Sequence, residues 1–350
     1  ASIDRVLYRP IALVSWADMP TKLLLIVFNG ESAVLLFFIL SGLVLRGALE
    51  RLAGLPMAVA AADFTLRRIT RIYPALIACM VLFYAISVAC FHAGVATFPH
   101  FHPLDLLENA TLYFAGMHGP SWSVQVEVCA VPFLLVAEML RRRWGATGLF
   151  AAFVYAMIAI EYPVMVFWLP ALWAYLFALY LGMLIGERAV ADAARRLHPS
   201  TWVIALILFV AFRHITERRA ISGLIAQVMA GGLLVACVAY HQDRLSDFLR
   251  GRLSVFFGRI SYSYYLLNVV ALYGCWATIE ANVPSPGAHP VAWGLLSAGA
   301  ATIVTIPLAI LSERYVERPG IAVGRLLTRW RQRVPPSGHG RLAQQPAGEA

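Results

Sequence analysis

Residues 162–186 read YPVMVFWLPALWAYLFALYLGMLIG, twenty-five positions from Tyr162 to Gly186 without one charged side chain. About 20 consecutive apolar residues are what a helix needs to cross the ~30 Å hydrocarbon core of a bilayer. Eight further stretches carry the same pattern: 32–45, 72–91, 119–140, 144–160, 199–212, 220–240, 260–279 and 290–312, with Glu127 and Glu138 interrupting the third. Stretches 32–45 and 199–212 need flanking residues to reach across. Composition agrees, since 60% of the 350 residues are hydrophobic and 13% charged, with a mean hydropathy of +0.72. An ordinary soluble domain carries about 25% charged residues. A soluble enzyme is thereby excluded, and the expectation is an all-α polytopic membrane protein.

Before residue 32 lies only a stub, because Arg9 and Asp18 leave eight uncharged residues between them. About ten transmembrane helices are therefore expected, the first truncated or atypical, with 18–31 as an outer loop. The sequence begins at Ala1 without the pattern of a signal peptide, which suggests that it starts within or just after the first helix. Lysine and arginine near span ends stay on the cytoplasmic side. Alternating the loops puts 22 cations inside and four outside (Lys22, Arg213, Arg218 and Arg219), with Arg5 and Arg9 in the stub. This orientation puts the C-terminus in the cytoplasm. One membrane domain is expected over 1–334, followed by a disordered cytoplasmic tail over 335–350 that contains Pro335, Pro336, Gly338 and Gly340.

The net charge of +9 and pI of 9.6 follow from this topology, so they point to membrane lipid rather than nucleic acid as a partner. All but one of the 28 cations are arginine, a bias that fits a GC-rich bacterial genome and an inner-membrane location. The five cysteines lie in apolar spans without a close pair, so neither a disulfide framework nor a metal site is expected.

Five polar features are not explained by spanning alone. Arg67, Arg68 and Arg71 precede Tyr73-Pro74, and their spacing puts two or three guanidiniums on one helix face, where they suit phosphate. The competing reading is an ordinary cytoplasmic anchor. Ser121-Trp122-Ser123 leads to Glu127, one to two turns inside an apolar span and just after His118. A carboxylate at that depth is a candidate acid or base, or else a structural hydrogen bonder between helices. Phe37-Phe38-Ile39-Leu40-Ser41-Gly42 ends in small residues that permit close helix approach. Ser261-Tyr262-Ser263-Tyr264-Tyr265-Leu266, with Asn268 beyond it, and Val316-Glu317-Arg318-Pro319 each read alone as a membrane border.

In this order and at these intervals, from about residue 29 to 320, the five features resemble the membrane acyltransferase-3 family, bacterial integral-membrane O-acyltransferases. The resemblance implies about ten helices with a cytoplasmic C-terminus. It also implies transfer of an acyl group, often acetyl, from cytoplasmic acyl-CoA to a hydroxyl on a glycan or other acceptor. On that reading Arg67, Arg68 and Arg71 meet the CoA phosphates, Glu127 lies by the reaction chamber, and His118 lies near its outer mouth. Arg9, Ser41, Gly42, Trp122, Tyr265 and Asn268 are further motif positions. The family places a basic histidine late in the first helix, whereas this sequence has no histidine before His92. Three alternatives follow: an upstream helix supplies it, His118 or Glu127 replaces it, or the chain is inactive. The second function class is accordingly a non-enzymatic glycan or lipid exporter or pseudoenzyme on the same fold. With no attached soluble domain, a separate acyl-transfer partner is a further expectation.

Overall fold

The computed structural model describes residues 6, 9–27, 29–95, 97–215, 221–241, 244–283 and 289–329, and every regular element among them is helical. Arg5 and the expected tail 335–350 lie outside the described residues. The helices are α1 (Met19–Val27), α2 (Gly30–Glu50), α3 (Met57–His92), α4 (Pro103–Ala110), α5 (Ser121–Cys129), α6 (Val131–Ala159) and α7 (Leu172–Ile185). They continue with α8 (Arg188–Arg195), α9 (Thr201–Ile215), α10 (Ile221–Tyr240), α11 (Arg244–Leu249), α12 (Arg252–Asn282), α13 (Pro290–Ser312) and α14 (Arg318–Leu327). A π turn, Glu313–Glu317, joins α13 to α14.

Among the described residues, five helical stretches are long and apolar enough to span a bilayer, or seven if α5 with α6 and α7 with α8 each count as one broken span. This is an all-α polytopic architecture, with fewer long spans than the nine plus a stub expected. One local cause shortens an expected span, and one local feature keeps two expected stretches apart. In 162–186, Pro163 opens a 3-10 turn, Phe167, Trp168 and Ala171 take left-handed backbone with φ of 54–56°, and Pro170 has no N–H to donate. Regular helix therefore starts at Leu172 and lasts 14 residues. In α6, Gly145 has φ 62° and ψ −145°, and a Cβ on Gly148 would lie 2.3 Å from the Leu140 carbonyl oxygen. Residues eight apart in a straight helix are about 12 Å apart. The chain thus doubles back at Gly145, which keeps 119–140 and 144–160 distinct.

The described residues form two compact units, one within 1–61 and 129–250, the other within 62–128 and 251–333. In the first, α2 and α7 cross with backbones almost touching. A Cβ on Gly42 would sit 1.9 Å from the Leu179 carbonyl oxygen, and one on Gly182 2.0 Å from that of Ile39. Asn29 caps α2, its side chain accepting from the backbone N–H groups of Glu31 (3.1 Å) and Ser32 (3.2 Å). Asn29→Ala is expected to destabilise the protein by about 1 kcal/mol, read as a fall in Tm of the purified protein in detergent.

The expected outer loop 18–31 is instead largely helical. Lys22, assigned to that loop, is buried in α1, its Nζ donating to the carbonyl of Arg9 at 2.8 Å and of Val6 at 3.2 Å. Two carbonyl partners let an ammonium leave water, and the apolar run Leu23 to Val27 favours helix over loop. Several arginines assigned inside are consumed by carboxylates. Buried Glu138 accepts from Arg141 and Arg142, and Arg142 also donates from Nη1 to the Leu55 carbonyl and from Nη2 to the Leu52 carbonyl, just beyond the end of α2. Arg46 joins Glu50 and Glu187.

Candidate active site

The second unit is organised by α12. Its apolar side, with Leu266, Leu267 and Val270, packs on Ile72, Leu76 and Met80 of α3. Successive polar positions radiate from the same turns. Tyr262 donates to the Ile72 carbonyl at 2.8 Å, and Ser263 Oγ lies 3.1 Å from both Ser312 Oγ and Glu317 Oε2. Tyr264 OH is 3.0 Å from Thr302 Oγ1, which itself donates to the Ala298 carbonyl. Tyr265 donates to the Pro120 carbonyl at 2.7 Å, and its oxygen is 2.8 Å from Ser123 Oγ. The Leu266 carbonyl accepts from His118 Nε2 at 2.8 Å and from Cys79 Sγ at 3.4 Å. Five consecutive residues therefore tie α12 to α3, α5, α13 and the segment that carries His118.

Within that frame Arg68 of α3 faces Glu127 of α5, Nη2 to Oε1 at 3.3 Å, with Glu127 7% exposed. The pair is close enough for strong attraction but lies outside hydrogen-bond geometry. Arg68 Nε and Nη2 are buried without a hydrogen-bond partner among the described residues. A guanidinium with unused buried donors is a ready receptor for an anionic or carbonyl oxygen. The Phe64 ring, 5.9 Å from the guanidinium carbon, helps hold it.

The other two arginines of the triplet differ. Arg67 is held by Asp63, Nε to Oδ2 at 2.9 Å, and donates from Nη2 to Thr328 Oγ1 at 2.8 Å. Its fork is spent on structure, and Asp63, fully buried and not singled out by sequence, is the reason. The i,i+4 spacing of Asp63 and Arg67 was the available signal. Arg71 is exposed and within electrostatic reach of Glu317. Glu317, read from sequence only as a membrane border, is 4% exposed and bonded to Ser263.

His118 is fully buried rather than open at a mouth. Its backbone N–H donates to Asn109 Oδ1, and Ser121 Oγ donates to its carbonyl. A carbonyl can only accept, so the bond to Leu266 places the imidazole proton on Nε2. Nδ1 is then a lone-pair acceptor, buried without a hydrogen-bond partner among the described residues. Burial holds the ring below its usual pKa, against the pull of the Leu266 carbonyl and its own. Trp122 is half-buried in the first turn of α5, and Asn268 is half-buried one turn beyond Tyr265. Arg9, Ser41 and Gly42 belong to the first unit, where Arg9 offers its carbonyl to Lys22 and Gly42 makes the crossing described above.

A family model described as an acyltransferase domain matches residues 6–312 of the 350. The chain belongs to the membrane acyltransferase-3 family. No curated protein and no solved structure matches it. Membership makes this a membrane protein of a transferase family, and the four motifs of the second unit meet around α12. In this acyltransferase-3 chain, Arg68 pairs with Glu127, Ser123 with Tyr265, and His118 with the Leu266 carbonyl, all within one unit.

Proposed function

We propose that the chain is an O-acyltransferase of the bacterial inner membrane. It takes an acyl group, acetyl in the first instance, from cytoplasmic acyl-CoA and delivers it to a hydroxyl of a glycan or other small acceptor. The C-terminus lies in the cytoplasm. The observation that supports the reading is the Arg68–Glu127 ion pair, whose guanidinium has a further buried nitrogen, Nε, with no hydrogen-bond partner among the described residues.

Glu127 takes the proton of the acceptor hydroxyl as its oxygen attacks the thioester carbonyl. Arg68 donates to the oxyanion of the tetrahedral intermediate, and collapse expels the CoA thiolate, which receives the proton from Glu127. Arg71, exposed on the same helix, meets CoA phosphate, and Arg67 positions this face through Asp63 and Thr328. His118 Nδ1 is the second candidate for the proton. The alternative reading is a non-enzymatic exporter or pseudoenzyme that makes these contacts without turnover.

Purified protein in proteoliposomes, given radiolabelled acetyl-CoA, tests the donor. Arg68→Lys keeps a charge beside Glu127 but loses the fork. It is expected to lower turnover with little change in acetyl-CoA affinity, whereas Arg71→Ala is expected to weaken acetyl-CoA binding at least about tenfold, since a charge-assisted bond contributes roughly 1.5–3 kcal/mol. Unchanged binding in Arg71→Ala would return Arg71 to a purely topological role, and unchanged turnover in Arg68→Lys would do the same for Arg68.

A further inference from the structure

Helix α14 lends the proposed acyl transfer only its packing, yet its three sides differ in chemistry. At 100° per residue, Gly320, Gly324 and Thr328 form one edge, and all three are buried. A Cβ on Gly320 would meet the Thr70 carbonyl oxygen at 2.5 Å, and one on Gly324 would meet Thr70 Oγ1 at 2.1 Å, so this edge is pressed against α3. Next around the helix come Arg318 and Arg325, exposed and within about 20° of one another, and exposed Arg329 follows two residues beyond the end of α14. Arg318 shares Glu313, whereas Arg325 and Arg329 have no acidic partner among the described residues. The remaining sector is apolar and open, with Val323 48%, Leu326 57% and Leu327 48% exposed.

The position of α14 gives that pattern its meaning. The 23 residues of α13 rise about 35 Å, enough to cross a ~30 Å hydrocarbon core. Helix α14 therefore emerges at the headgroup layer. Leu308, Leu311 and Tyr315 are exposed just before it, so the open apolar surface runs on into α14. Positive-inside topology alone calls for arginines here but not for an open apolar sector beside them. We propose that α14 binds anionic phospholipid, the headgroup phosphate between Arg325 and Arg329 and the acyl chains along Val323 and Leu326. Arginine forks match phosphate oxygens, and an apolar sector flanked by cations is the pattern of a helix at a lipid interface. This inference is independent of the acyl-transfer reading.

Native mass spectrometry of the full chain in detergent, titrated with phosphatidylglycerol or phosphatidylcholine, tests it. Saturable phosphatidylglycerol binding is expected. A basic side chain near an anionic surface contributes about fivefold, so Arg325→Gln with Arg329→Gln should weaken binding roughly 25-fold. Both residues are exposed, so the variant is expected to keep the wild-type Tm. Val323→Ser with Leu326→Ser should weaken binding by about tenfold through lost acyl-chain contact. Equal affinity for the two lipids, an unchanged affinity in either double variant, or full displacement by inorganic phosphate would each overturn the proposal. The last result would mean a simple anion site.

Discussion

Glu127→Gln is expected to lower acyl transfer about 1,000-fold, within the range that a positioned general base contributes. Glutamine has the shape of glutamate and can accept a hydrogen bond from an acceptor hydroxyl, but it cannot take that hydroxyl's proton. The substitution therefore separates binding from proton transfer: the affinity for acetyl-CoA should change far less than the rate. It also leaves Arg68 buried at 12% side-chain exposure without its counter-ion. Breaking a buried pair from one side costs about 3–5 kcal/mol, so Tm should fall as well. Glu127→Asp restores the charge on a shorter arm and should recover stability more fully than rate. His118→Gln is the companion variant. If His118 Nδ1 takes the proton, the large loss moves to that variant, and Glu127→Gln falls less than tenfold. If both retain full turnover, neither side chain is the base.

The membrane class was legible from composition and from uncharged runs, because hydropathy is additive along a chain and needs no partner. What composition cannot express is where a run stops being helical. The stretch 162–186 is uniformly apolar, yet Pro163, Pro170 and three left-handed residues confine its helix to Leu172–Ile185. Those prolines were visible, but their effect depends on neighbouring backbone that no hydropathy count contains. Lys22 failed for a related reason. A charge in sequence looks solvated until its carbonyl partners, here Val6 and Arg9, are known.

In the candidate site, the depth of Glu127 marked it, since a carboxylate inside an apolar run must find a partner. Its partner Arg68 was among three arginines that spacing could not tell apart. Tertiary contacts separate them, with Arg67 held by Asp63 and Thr328, Arg68 facing Glu127, and Arg71 exposed. The buried state of Glu317 and of His118 was likewise invisible, because it depends on packing against α12 from segments far away in sequence.

Gly42 carries the other large expected effect, and it concerns the scaffold rather than the chemistry. Without a hydrophobic driving force between helices in lipid, association rests on van der Waals packing, which small residues at a crossing make close. Here the approach is backbone to backbone from both sides, Gly42 against Leu179 and Gly182 against Ile39. A methyl on Gly42 would overlap a carbonyl that is itself fixed inside α7, so no side-chain rotation can relieve it. The helices must separate, and with them the contacts of Phe38, Ile39, Leu176, Phe177 and Leu179, all completely buried. Overpacking costs about 1–3 kcal/mol where side chains can adjust. Gly42→Leu should reach at least the upper end, about 3 kcal/mol, which corresponds to a Tm drop of roughly 6–12 °C. Gly274→Ala in α12 is the matched control, because nothing lies within 4 Å of a Cβ there. Alanine is a better helix former than glycine by about 1 kcal/mol, so that variant should hold or raise Tm. Thermal scanning of both in the same detergent decides the matter: if Gly42→Leu melts with wild type, the α2–α7 crossing is not held by backbone contact.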